Sequence, residues 1–317
     1  MGISREQALE CFRSEDLVGI GMEADAVRRR LNPEGVVSYA VACRVDCAAL
    51  VSEGDPAEAK LKVARAAIAA AVENGATGVR LVGAVAMVPD ELTWLEGALR
   101  ELRRQFPQIW LEGPTAAEVV EMAARGGLGM REVIARLRDA GLNAIAGDGI
   151  GLGDSLGVSD WIEVHRAAHD LGMRTVAGMV FGISDTVEQR ANFLGAVRRL
   201  QEETGGFAAL VPMAAAAPGE RELDGVTAVE RLKTLAIARM LVDNVENVQA
   251  DGIVAEMGGL KVLQTALRFG ANDAGAVIVA GDGLRAGATE EDLRRIIRDA
   301  GFRPAERDAA YRAMMLS

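Results

Sequence analysis

Histidine and tyrosine are nearly absent: a chain of 317 residues holds two of each. The side chains that most often move protons near neutral pH are therefore scarce, and acid–base work would fall on carboxylates. Cysteine is thin as well. Three residues, an odd number, fit a reducing cytosol better than a disulfide framework. No uninterrupted apolar run reaches the roughly 18 residues of a membrane helix. The opening "MGISREQALECFRSEDL" is charged from its start and lacks the apolar stretch of a secretory leader. Positive charge is in deficit, with 35 Lys and Arg against 46 Asp and Glu for a net −11, which argues against a nucleic-acid footprint. The expectation is a cytoplasmic protein with no nucleic-acid partner and no membrane span.

Apolar residues, by contrast, make up 50% of the chain, enough for a sizeable core. From about residue 60 helical patterns alternate with short apolar runs. "AEAKLKVARAAIAAAVENGA" predicts a helix closed by Gly75, and "TGVRLVGAV" a strand. "LNAIAG" predicts a further strand, and "SDWIEVHRAAHDLG" a helix capped by Ser159. "FAALVPMA" and "AGAVIVA" read as buried strands, and "TEEDLRRIIRDAG" as the last helix. Seven or eight such alternations with short glycine-marked joints predict an α/β fold, a TIM-like (β/α) barrel. Residues 1–35 are expected to form an N-terminal helical extension, and 36–317 the barrel with its C-terminal helix. Chemistry in such barrels sits on the loops after the strands.

"VSYAVACRVDCAALVSEGDP" carries Cys43 and Cys47. As part of a strand they would share one face and behave as small hydrophobes. As the start of a metal loop they would be ligands. His165 and His169 stand four apart on a predicted helix, a spacing that can bind zinc, but no third ligand follows and a packed helix explains them as well. "GDGIGLGD" and "AGDGLRAGAT" are glycine-rich, yet Asp148 and Asp154 would repel phosphate, and the first reads as a shortened turn, the second as a loop. The 12 methionines, with "MVFG" and "VPMAAAA", are compatible with an apolar barrel mouth that meets a partner.

In their order along the chain, "GDP" (54–56), "RLRDAGLNAI", "WIEVHRAAHDLGMRT", "MVFG", "LQEETGGF", "LKTLAIARMLVDN", "ALRFGAND" and "RRIIRDAGFRPAERD" resemble the radical S-adenosylmethionine (SAM) enzymes of the futalosine route to menaquinone, in particular cyclic dehypoxanthinyl futalosine synthase. The resemblance implies a SAM-binding β/α barrel. It also implies a [4Fe–4S] cluster held by a C-x3-C-x2-C loop after the first strand. Here Leu50 stands where the third thiolate belongs, and a second alignment makes "VVSYAVACRVDCAAL" the whole first strand with the cluster loop shortened away.

Other family positions change in the same direction. The glycine pair that meets the SAM amino group becomes Gly83–Ala84, and Glu112 replaces a histidine. "AGDGIG" stands for a carboxylate-bearing stretch, and Asp251–Gly252 for a Ser–Trp pair. Gly83, Glu112, Asp148 and Asp251 are the candidate binding residues, suited to a cation or a hydroxyl-bearing ligand. No catalytic residue, no metal ligand and no cofactor is expected, the cluster and SAM ligands being read as lost. The resulting expectation is a non-catalytic homologue, a pseudoenzyme partnered by an active homologue or by a second copy. Two alternatives stay open: a cluster-free enzyme acting on a nucleoside, and a radical SAM enzyme with an atypical cluster site built on Cys43, Cys47 and a ligand such as Asp46.

Overall fold

The computed structural model describes residues 2–46, 57–83, 90–147, 149–151, 157–182, 184–215, 226–250, 259–279, 285–286 and 288–316. In chain order the elements begin with α1 (Arg5–Arg13), α2 (Leu17–Leu31), β1 (Val36–Asp46), α3 (Ala57–Glu73), β2 (Gly78–Val82), α4 (Glu91–Gln105) and β3 (Trp110–Glu112). Next come α5 (Ala116–Gly126), α6 (Met130–Asp139), β4 (Ile150–Gly151), α7 (Val158–Asp170), β5 (Thr175–Phe181), α8 (Val187–Thr204), β6 (Phe207–Ala214) and α9 (Ala228–Leu241). The chain finishes with β7 (Asn247–Val248), α10 (Leu260–Ala266), β8 (Asp273–Val279), β9 (Arg285–Ala286), α11 (Glu290–Asp299), β10 (Arg303–Arg307) and β11 (Ala313–Leu316).

The helices start where the sequence supplies caps. Ser4, Thr115, Thr186 and Thr289 each accept from the third helical N–H and are answered in turn by Gln7, Glu118, Gln189 and Asp292. Ser159 does not cap α7. Gly157 holds that position without a side-chain bond, so the helix begins before Ser159.

The strands run parallel in the order β3-β2-β1-β8 on one side and β4-β5-β6-β7 on the other. Two single bridges join the halves, Glu112 to Ala144 and Gln249 to Asp273. The ring is thereby closed as a (β/α) barrel. The stretch 142–147, expected to be a strand, contributes only the Ala144 bridge, and β4 forms three residues later at Ile150.

Parallel strands covered on both faces need apolar side chains throughout. β6 meets that demand, buried from Phe207 to Pro212. Under α7, Trp161 lies 5.0 Å from the Phe193 ring and 5.8 Å from the Phe207 ring. α1 and α2 precede the barrel and pack on α8 and α9, where Arg30 meets Asp243 at 2.9 Å and Lys233 donates to the Ser14 carbonyl at 2.6 Å.

Two strands lie beyond the last helix that the sequence suggested. β10 pairs with the first residues of β1, Val36 to Tyr39, and β11 returns antiparallel along β10. The turn between them, 308–312, reaches the barrel interior, where Ala309 sits against Gly78 so closely that a Cβ there would collide with it. No helix among the described residues is long and apolar enough to cross a membrane.

Candidate functional site

β1 decides which side chains see the lumen. Tyr39 is buried and its hydroxyl donates to Glu290 of α11, at 3.0 Å, so odd-numbered positions face the helical layer. Val41, Cys43 and Val45 follow that parity and are buried. Ala40, Ala42 and Arg44 take the other face and line the central cavity with Gly78 and Arg80 of β2, Glu112 of β3 and Ala276 and Ile278 of β8. The cavity measures about 80 Å³.

Apart from Arg44, which is exposed, its polar side chains bind one another. Arg80 Nε donates to Glu112 Oε2 at 3.2 Å, the two being register partners on β2 and β3. At the floor, Asp273 is fully buried and accepts from the Arg307 guanidinium, from Ser38 Oγ at 2.6 Å and from the Gly275 N–H at 2.9 Å. Arg307 also donates to Gln249 Oε1 at 3.2 Å, and the Tyr311 hydroxyl donates to the same oxygen at 2.6 Å. The Arg307 guanidinium lies 3.8 Å from the centre of the Tyr311 ring. Burial raises the Tyr311 pKa, so its hydroxyl stays protonated and serves as a donor.

Of the four candidate binding residues, the structure describes two. Glu112 ends β3 and is held by Arg80; Gly83 follows β2 in a left-handed conformation (φ 66°) that suits glycine. They stand at the same end of neighbouring strands. Asp148 and Asp251 lie outside the described residues, as does Cys47. Cys43 is 1% exposed, and burial pushes its thiol up to about 11.

The histidine pair is structural. His165 and His169 both bond Thr175 Oγ1 at 2.8 Å, and His169 Nδ1 meets Thr204 Oγ1 at 2.7 Å. Burial lowers His165 to about 3 and His169 to about 4, so both rings are neutral. Among the described residues no group of three or more His, Cys, Asp or Glu side chains could hold a metal ion.

Sequence reading missed Arg44, Arg80, Gln249, Asp273, Arg307 and Tyr311. The available signal was a charged residue inside an otherwise apolar strand, as in "VACRVD" and "GVRLV". A strand covered on both faces tolerates such a residue where it has a partner or reaches water.

Comparison with known proteins points in one direction. The family model for the CofH/MqnC C-terminal region matches residues 206–317. The chain is 30% identical to an aminodeoxyfutalosine synthase of Streptomyces coelicolor, over 98% of this chain and 90% of that protein. It is 28% identical to a cyclic dehypoxanthine futalosine synthase of the same organism, over 99% and 86%. Among solved structures, methylornithine synthase shares the fold with a TM-score of 0.61 at 13% identity, over 96% of this chain and 95% of that one.

These matches overturn the expectation that the chain carries no cofactor. Relatives aligned along nearly the full chain make the [4Fe–4S] cluster and SAM the implied cofactors, and nothing in the matches shows their ligands to be lost. The described cysteines do not themselves fit a three-thiolate set. Cys11 belongs to α1, which packs on α8 and α9, while Cys43 is a buried, protonated thiol on the helix-facing side of β1.

Proposed function

The chain belongs to the radical SAM family of the futalosine route to menaquinone, and from that membership we propose that it serves the route as a non-catalytic homologue, a binding or regulatory partner of an active enzyme. The observation that carries this reading is the narrowed lumen. Small-molecule sites generally measure about 300–1,000 Å³, whereas the described walls enclose about 80 Å³. The C-terminal turn takes up the floor with Ala309 and Tyr311, Glu112 is spent on Arg80, and Asp273 on Arg307. Side chains locked in mutual ion pairs are poor acids and bases, because each proton transfer would leave a partner charge buried and unanswered.

The test compares the chain alone with the chain added to an intact synthase of the same family. After anaerobic reconstitution with iron and sulfide, the chain alone is expected to cleave no SAM above the blank. Added to the intact synthase, it is expected to co-elute with it on sizing or to change its rate. Turnover of a nucleoside substrate by the chain alone would overturn the reading.

A further inference from the structure

We infer that the lumen holds one small oxyanion, a phosphate or a carboxylate group, on the guanidinium of Arg44. This inference rests on the narrow lumen described above, and not on the absence of catalysis.

Three observations carry it. The first is register. Arg44 on β1 is the direct partner of Arg80 on β2, so two arginines occupy neighbouring positions at the same lining. Like charges placed opposite each other across a strand pair are destabilising. Of the acidic side chains described in the lining and floor, Glu112 answers Arg80 and Asp273 answers Arg307. Arg44 remains exposed, with no carboxylate within ion-pair distance among the described residues. The described lumen thus carries three guanidiniums against two carboxylates, in a chain whose net charge is −11.

The second observation is size. A space of about 80 Å³ beside Arg44 suits a single oxyanion. Ala40, Ala42 and Ala276 keep that space open, since a larger side chain at these lining positions would reduce it.

The third is chemistry. Guanidinium presents a planar fork of donors that matches two oxygens of a carboxylate or phosphate, and it stays charged when partly desolvated. The floor below is already satisfied: Gln249 Oε1 accepts from both Tyr311 and Arg307, so no unanswered acceptor faces the anion from there.

The experiment is a calorimetric and thermal-shift titration of the full chain with inorganic phosphate, and separately with acetate, at constant ionic strength against a chloride control. The two arms distinguish a phosphate source from a carboxylate source. Wild type is expected to bind at least one of them, with Arg44→Gln weakening that binding about tenfold or more and Arg44→Lys weakening it less. Because Arg44 is exposed, Arg44→Gln is expected to keep the wild-type melting temperature without ligand, and far-UV circular dichroism checks that it folds. Binding of neither anion beyond the chloride control would overturn the inference, as would equal binding by Arg44→Gln. If the chain turned over a nucleoside yet still bound an anion through Arg44, the non-catalytic reading would fail while this inference stood.

Discussion

Removing Arg307 while leaving Asp273 in place tests the floor of the barrel most severely. Asp273 is fully buried and Arg307 5% exposed. In Arg307→Met the carboxylate keeps Ser38 Oγ and the Gly275 N–H but loses its counter-charge. Breaking a buried pair from one side costs roughly 3–5 kcal/mol. Gln249 also loses one of its two donors, and the Asp308 carbonyl loses the donor now 3.1 Å away. A total near the upper half of that range follows, or a fall in melting temperature of roughly 6–10 °C for a domain of this size. Urea unfolding followed by circular dichroism measures it. The double variant Asp273→Leu with Arg307→Met should recover much of the loss, because no charge is left unanswered. An Arg307→Met variant within about 1 kcal/mol of wild type would refute the reasoning, showing that the pair is effectively solvated.

Acid should act through the α7 histidines. Their folded pKa values, about 3 for His165 and about 4 for His169, lie below the ordinary 6.5, so only the unfolded chain takes up these protons over that interval. Their contribution is complete above pH 6.5 and falls as pH drops toward 4, by up to about 1.4 kcal/mol per pH unit for each ring. His165→Phe should flatten the slope of melting temperature against pH between 6.5 and 4, and an unchanged slope would contradict this. Arg239 is fully buried and donates to the carbonyls of Gly270, Val245 and Glu246 and to Asn272 Oδ1. Arg239→Met strips those acceptors together and should cost about 3–5 kcal/mol in urea unfolding. Gly78→Val should push the 308–312 turn out of the lumen, costing about 1–3 kcal/mol and altering the near-UV signal of Tyr311.

Much of this architecture could be read from the sequence because its signals are local. Helices α5, α8 and α11 begin at Thr–x–x–Glu, Thr–x–x–Gln and Thr–x–x–Asp, and each box forms as the spacing predicts. "FAALVPMA" is an apolar run of strand length and becomes β6 residue for residue. The fourth strand was harder to place. "LNAIAG" has the right composition, but whether it pairs depends on distant neighbours, and it meets β3 only at Ala144. β10 and β11 escaped notice because "RPAER" carries three charged residues and a proline, and it is the pairing of β10 with Val36–Tyr39 that makes it a strand.

The site shows the same division. Glu112 stood out because of the family position it fills, and the structure gives it a partner in Arg80. The floor did not stand out. Gln249, Asp273 and the neighbouring Arg307 and Tyr311 come from three separate stretches of sequence and meet only because β7, β8 and β10 converge. Sequence periodicity tells which face of a strand a residue takes, but not which strands are neighbours.

The most direct measurement is SAM cleavage by the purified chain after anaerobic reconstitution with iron and sulfide, run with and without an intact synthase of the family. A non-catalytic partner yields no cleavage alone and alters the rate or the elution of the intact enzyme when mixed with it. Cleavage by the chain alone, coupled to turnover of a nucleoside substrate, would contradict that role.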